Sequence, residues 1–136
     1  MAMLAGQKAP VPQEQAECSV LAVEEAGLAV YLVAGQMVAS TAAGARSALL
    51  HAVDEPKVVL DLSDLTFVDE VGLGVLAGAV RRVHEAGGGV VICARPGPVT
   101  SALRASGIAR LVPVLGDLAE AKTALSTGRV RFSSRR

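Results

Sequence analysis

The sequence predicts an α/β fold, a sandwich with a mixed, mostly parallel sheet of four to five strands and about four helices. Three observations carry that prediction. Two short apolar runs, Lys57–Leu62 (KVVLDL) and Gly89–Ala94 (GVVICA), are rich in β-branched residues and bounded by turn signals, the pattern of strands covered on both faces. Between them Leu73, Leu76, Val80 and Val83 recur at spacings of three, four and three, which makes one apolar helical stripe with Gly74, Gly78, Arg81, Arg82 and Glu85 on the far side. Strand, helix and strand in close succession form a βαβ unit, so the two strands should run parallel with a right-handed crossover.

The remaining elements follow in order. Cys18–Val23 and Leu28–Val33 are apolar runs around the turn-like Glu24, Glu25, Ala26 and Gly27, and read as a β-hairpin. An Ala-rich helix is expected from Ser40 to Val53, with Ser40 or Thr41 as its cap and Pro56 as its end. Gly87-Gly88-Gly89 is a helix-to-strand turn. After the second strand of the βαβ unit, Pro96 and Pro98 break the chain, Val99–Ala105 forms a short helix, and Ser106-Gly107 stops it. Leu111–Leu115 is expected as an edge strand, because Pro113 cannot donate to a ladder. Asp117 caps a last helix that ends near Leu125.

Composition narrows the function. The chain has 136 residues and is 51% hydrophobic, enough for one aliphatic core, but Tyr31, Phe67 and Phe132 are its only aromatics. Stacking on nucleic-acid bases needs more rings than that. Thirteen basic residues balance thirteen acidic ones, yet Arg129, Arg131, Arg135 and Arg136 lie in the last eight positions, so the body carries nine bases against thirteen acids, near −4. Such a body lacks the clustered positive charge of a nucleic-acid footprint. Residues 127–136 are expected to be a basic disordered tail, residues 1–16 a disordered N-terminal segment, and residues 17–126 the single domain.

Cys18 and Cys93 have neither C-x-x-C spacing nor nearby histidines, and read as small buried hydrophobes in a reducing compartment. His51 and His84 are isolated, so no metal and no cofactor is expected. The first seventeen residues, MAMLAGQKAPVPQEQAE, look like neither a secretory signal nor an anchor, and no apolar run approaches the roughly 20 residues of a membrane span. A cytoplasmic protein without membrane insertion is expected.

The working surface of such a sheet is the crevice at the carboxyl ends of its strands, here between a Ser63–Val71 loop and an Arg95–Thr100 loop. Asp69 would cap the central helix, with Glu70 in its first turn favoured by the helix dipole at roughly 0.3–1 kcal/mol. That is a sufficient structural reason for both acids. A catalytic carboxylate pair lacks a histidine, an activated nucleophile or a phosphate-cradling loop nearby, and Gly72-Leu73-Gly74 lacks the third glycine of a dinucleotide fingerprint. Gly74 and Gly78 each cost about 1 kcal/mol of helix propensity relative to Ala. A partner that approaches the helix backbone closely would account for them, and so would drift in a well-packed helix.

DLSDLTFVDEVGLGVL, followed by EAGGGVVICARPGPVTSALRASGIARLVPVLGDLAEA, resembles the STAS domain of bacterial anti-sigma factor antagonists from about Cys18 to Leu125. The D-L-S-x-L-x-F-x-D-x-x-G-L-G core and the later L-x-x-S-G-I-x-x-L are the most specific parts. The resemblance implies a non-catalytic regulator that binds an anti-sigma factor, often an ATP-using serine kinase, and so frees a sigma factor. It implies a partner surface at Asp69, Glu70, Val71, Gly72, Leu73, Gly74, Gly78 and Arg82, on a monomer or weak homodimer. In that family the kinase phosphorylates a Ser or Thr in a D-S-[ST]-G-L segment. Here the segment is Asp69-Glu70-Val71-Gly72-Leu73, and the acceptor position is Val71, which has no hydroxyl. The nearest alternatives in sequence are Thr66, Ser63, Thr100 and Ser101. Gly35-Gln36-Met37-Val38 likewise departs from the family's G-E-[ILV]-D loop. Two other readings share the fold: an accessory subunit of a membrane transport complex, and a small-ligand or nucleotide sensor using the crevice.

Overall fold

A computed structural model describes residues 15–127. Five strands form one sheet in the order β1-β2-β3-β4-β5, with β1 (Cys18–Glu25) antiparallel to β2 (Leu28–Met37) and β3 (Lys57–Val68), β4 (Gly89–Cys93) and β5 (Val114–Leu115) following in parallel. The helices are α1 (Ala42–Leu49), α2 (Glu70–Glu85), α3 (Pro98–Ser106), α4 (Ile108–Leu111) and α5 (Leu118–Thr127). The disorder expected of residues 1–16 and 127–136 concerns stretches that lie almost wholly outside the described residues, and Thr127 itself closes α5.

Alternation along the strands sorts the core onto two faces. Val58, Leu60 and Leu62 of β3, with Val90 and Ile92 of β4, meet α1 through α4; Val59, Val91 and Cys93 turn the other way and meet Ala121 and Leu125 of α5. One face is thus roofed by four helices and the other by one. The stripe on α2 is as expected in Leu76, Val80 and Val83, all buried, while Leu73 is half-buried at the stripe's edge. The hairpin closes through Ala26 and Gly27, both at positive φ, the backbone that a tight two-residue turn requires.

Several boundaries differ from expectation, each because pairing or local hydrogen bonding outweighed composition. β3 continues past Leu62 to Val68, so Ser63–Val68 is strand rather than loop. Its second half pairs with an equally extended β2, through Ala34↔Asp64, Gly35↔Leu65, Gln36↔Phe67 and Met37↔Val68, after register shifts that let the two ladders stay joined. The Ser40–Val53 helix is split: α1 stops at Leu49 and Leu50–Asp54 is a 3-10 turn. Thr41 holds the N-cap position without a capping bond, because its hydroxyl turns back to accept from Val38 N–H at 2.9 Å and to donate to Gln36 C=O at 2.8 Å. Leu111 ends a one-turn helix, α4, which leaves β5 only two residues long. The last cap is as expected, with Asp117 Oδ1 accepting from Ala119 N–H at 3.1 Å.

Cys93 is buried, but Cys18 is only half-buried, because it opens the edge strand β1, on whose outer side no strand pairs among the described residues. Burial pushes both thiols up from their ordinary range, and at Cys93 a bond to the Ser63 hydroxyl pulls the other way. Reaction needs access as well as thiolate. In the native protein at neutral pH, a maleimide should therefore label Cys18 first and Cys93 only after unfolding, as read by peptide mass spectrometry; equal rates would overturn this placement.

Candidate functional site

The site is a corner where three segments meet: the end of β3, the start of α2 and the loop between β2 and α1. Asp69 holds them together. Its backbone is extended, which aims its carboxylate over the first turn of α2, where Oδ1 accepts from Gly72 N–H at 2.8 Å. Its Oδ2 accepts from Ala39 N–H at 3.1 Å, and its own N–H donates to Met37 C=O at 3.2 Å. The expected cap is therefore also a tie to a segment thirty residues away, which satisfies donors on two separate elements.

Gly72 makes the corner possible. A Cβ there would collide with the Met37 carbonyl oxygen and lie 2.8 Å from Val68 Cγ2, so only glycine lets α2 sit this close to β2. Gly72 is buried and Leu73 packs half-buried against the core, so these two shape the surface from beneath. Glu70 and Val71 face solvent, Val71 at 45% exposure. Farther along α2, Gly74 is exposed with open space where a side chain would stand. Gly78 is half-buried, because the Arg82 guanidinium lies across it, with Nη1 3.3 Å from the position a Cβ would take. The eight residues named from sequence thus share one helix but divide into a buried support and an exposed ridge.

Beside the corner, Gln36 acts as a neutral crosslink. Its Oε1 accepts from Glu17 N–H at 3.1 Å and its Nε2 donates to Thr66 Oγ1 at 3.4 Å, while Thr66 donates to Gly35 C=O at 3.1 Å. The hydroxyls near the corner differ in access. Thr66 is exposed though hydrogen-bonded; Ser63 is half-buried, its Oγ 3.5 Å from Cys93 Sγ; Thr100 is buried and donates to Arg95 C=O; Ser101 is exposed. Ser40, which sequence reading treated only as a helix cap, is exposed on the loop that Asp69 secures. No local pattern signals this, because the contact spans thirty positions.

The crevice expected between Ser63–Val71 and Arg95–Thr100 is present only in part: a pocket of about 280 Å³ is lined by Ser63, Leu65 and Thr66 on one side and Arg95–Val99 on the other, and Asp69, Glu70 and Val71 do not line it. A larger cleft of about 670 Å³ lies elsewhere, between the start of β1 and the β2–α1 loop, lined by Glu17, Cys18, Ser40 and Thr41 among others. Among the described residues no group of three His, Cys, Asp or Glu side chains is placed to hold a metal ion, and no helix is long and apolar enough to cross a membrane.

Comparison with known proteins identifies the family. A model of the STAS domain matches residues 19–121. The chain belongs to the STAS-domain family. An anti-sigma F factor antagonist of Paenibacillus polymyxa is 34% identical over 68 residues, which take in 50% of this chain and 58% of that relative. The crystal structure of an anti-sigma factor antagonist from Mycobacterium paratuberculosis is 25% identical, with a TM-score of 0.76 over 87% of this chain and 99% of that one. The phosphorylated form of the Bacillus cell fate determinant SpoIIAA shares the fold at 17% identity, with a TM-score of 0.59 over 83% of this chain and 100% of that one.

Two substitutions test how this STAS domain builds its corner. Asp69→Ala should cost about 0.5–2 kcal/mol, the range of a lost cap, whereas Gly72→Ala should cost more, on the order of 1–3 kcal/mol or above, because the new methyl forces backbone apart. Urea titrations followed by circular dichroism check both; a Gly72→Ala protein as stable as wild type would show that the close approach to Met37 is not obligatory.

Proposed function

We propose that this STAS domain is an anti-sigma factor antagonist: a non-catalytic regulator that binds an anti-sigma factor with the exposed ridge of α2 and so frees a sigma factor. The observation that carries the reading is the exposed Glu70-Val71 step on the first turn of α2, held rigid by the Asp69 and Gly72 corner beneath it. A docking surface built on a rigid helix start loses little freedom on binding. The likeness to antagonists from Paenibacillus polymyxa and Mycobacterium paratuberculosis supports the same reading.

Val71 adds a statement about control. Phosphorylation at this position would bring about −1.5 to −2 charges and three acceptor oxygens to the helix start. Valine carries none of these, and Glu70 supplies a single carboxylate one residue earlier. The domain is therefore not switched at position 71. It is either constitutively competent to bind or controlled through another hydroxyl, of which Thr66, Ser101 and Ser40 are exposed.

Two experiments test the parts separately. Val71→Ser, incubated with a cognate anti-sigma kinase and ATP, should gain one phosphate by mass spectrometry while wild type stays unmodified from 69 to 73; no phosphate on either protein would sink the kinase-linked part. Gly78→Leu has only the mobile Arg82 side chain to displace, so circular dichroism should be unchanged while affinity for the anti-sigma factor falls by about tenfold or more, as for a bulky change at an interface centre. Unchanged affinity would remove this face of α2 from the interface.

A further inference from the structure

The two edges of the sheet are built differently. β5 is two residues long and preceded by Pro113, so it offers little to pair with. β1 is eight residues long, pairs with β2 without any register shift, and from Cys18 to Val23 carries no proline and no charge. Short strands, prolines, bulges and charges are the devices that keep a free edge from pairing, and this stretch has none of them. Leu21 is 60% exposed and Val23 38%, both on the α5 side of the sheet, where their partners Leu32 and Val30 pack toward α5.

The backbone phase of this edge is known. The Glu17 carbonyl accepts from Gln36 N–H on the β2 side at 2.7 Å. Backbone groups alternate along a strand, so the odd-numbered residues of β1 face β2, and the N–H and C=O groups of Val20, Ala22 and Glu24 point outward, unpaired by any strand among the described residues.

We propose that β1 pairs antiparallel with β1 of a second copy of this chain, joining the two sheets across a two-fold axis at Ala22. An axis normal to the sheet keeps odd-numbered side chains on the same face in both copies, so odd must oppose odd and even oppose even. Of the registers that satisfy this around the apolar stretch, one with Val20 on the axis sets Leu21 against Ser19 and Val23 against Glu17, and one with Val23 on the axis sets Leu21 against Glu25, so neither brings Leu21 against an apolar side chain. With Leu21 on the axis, Glu25 opposes Glu17 of the other copy, and like charges directly opposite are destabilising. With Ala22 on the axis, Leu21 opposes Val23, Glu25 opposes Ser19, and Glu17 falls beyond the paired stretch. The Ala22 register closes the Leu21 and Val23 side chains of both copies into one apolar cluster. The charge of Glu25 is already met within its own chain by Lys122, whose Nζ lies 2.8 Å from Oε1. One strand pair and four side chains make a small interface, below about 1,200 Å² in total, so the dimer is weak and concentration-dependent. The inference is independent of the docking surface on α2.

Cysteine crosslinking reads the register. Opposed Ala22 residues form a hydrogen-bonded pair with Cα atoms about 5.5 Å apart, inside the range a disulfide spans. In a Cys18→Ser background, Ala22→Cys should form an intermolecular disulfide under mild oxidation, while Ser19→Cys, which opposes Glu25 instead of itself, should not. Leu21→Lys brings two cations to the centre of the interface without disturbing the core, and should weaken dimerisation by about tenfold or more in sedimentation equilibrium, as like-charge juxtaposition does. A wild-type protein that stays monomeric at about 1 mM, where even millimolar affinity would show, would overturn the proposal. So would equal crosslinking by the two cysteines, or a dimer indifferent to Leu21→Lys.

Discussion

The arrangement around α2 depends on one contact, the close approach of Gly72 to the Met37 carbonyl, with the Asp69 carboxylate closing over it. Each half needs the other. Without a glycine the helix could not come near enough to β2 for one carboxylate to reach both Gly72 N–H and Ala39 N–H. Without the carboxylate, Gly72 N–H at the part-buried start of α2 would lose its acceptor, whereas Ala39 N–H, on an exposed residue, would turn to water and release the loop. The contact also sets the length of the sheet. Since α2 must start against the end of β2, β3 is carried to Val68 alongside Met37, and no free loop intervenes.

Rigidity at this junction has a functional side. A helix that begins on a crossing of three segments presents its first turn with little freedom, and the ridge from Glu70 through Gly74 inherits that order. Gly74 leaves backbone accessible, whereas at Gly78 the Arg82 guanidinium lies over the backbone and must move aside for anything that docks closely. The surface is therefore a graded one: fixed and apolar-acidic at its start, adaptable and cationic farther along.

The two faces of the sheet carry different demands. Four helices on one side bury Leu60, Leu76, Ile92 and Leu103 almost completely, and that layer makes the larger aliphatic core. On the other side, among the described residues, α5 covers the centre around Val59 and Val91 and touches β1 at its end, through Lys122 and Glu25. Leu21 and Val23 lie outside that cover, which is why the edge of the molecule opposite β5 is both apolar and hydrogen-bond competent.

Sequence alone determined the elements whose cause is local. The stripe on α2, the Asp69 and Asp117 caps, the turn before β2, the Gly107 stop of α3, and the parallel βαβ unit all follow from side-chain periodicity, backbone conformation or hydrogen bonds within a few residues. Asp69 was legible as a cap. What tertiary structure alone decided were the contacts between residues far apart in the chain: the extension of β3 along β2, the second bond of Asp69 to Ala39, the reason position 72 admits only glycine, and the placing of Ser40 beside that tie. Thr41 gave up its capping bond for Gln36 and Val38, and Cys18 was left half-exposed because its strand lies at an edge. Each of these depends on which segment comes to lie alongside another. A pattern read along one chain does not contain that, because pairing partners thirty positions apart leave no periodic trace in either segment.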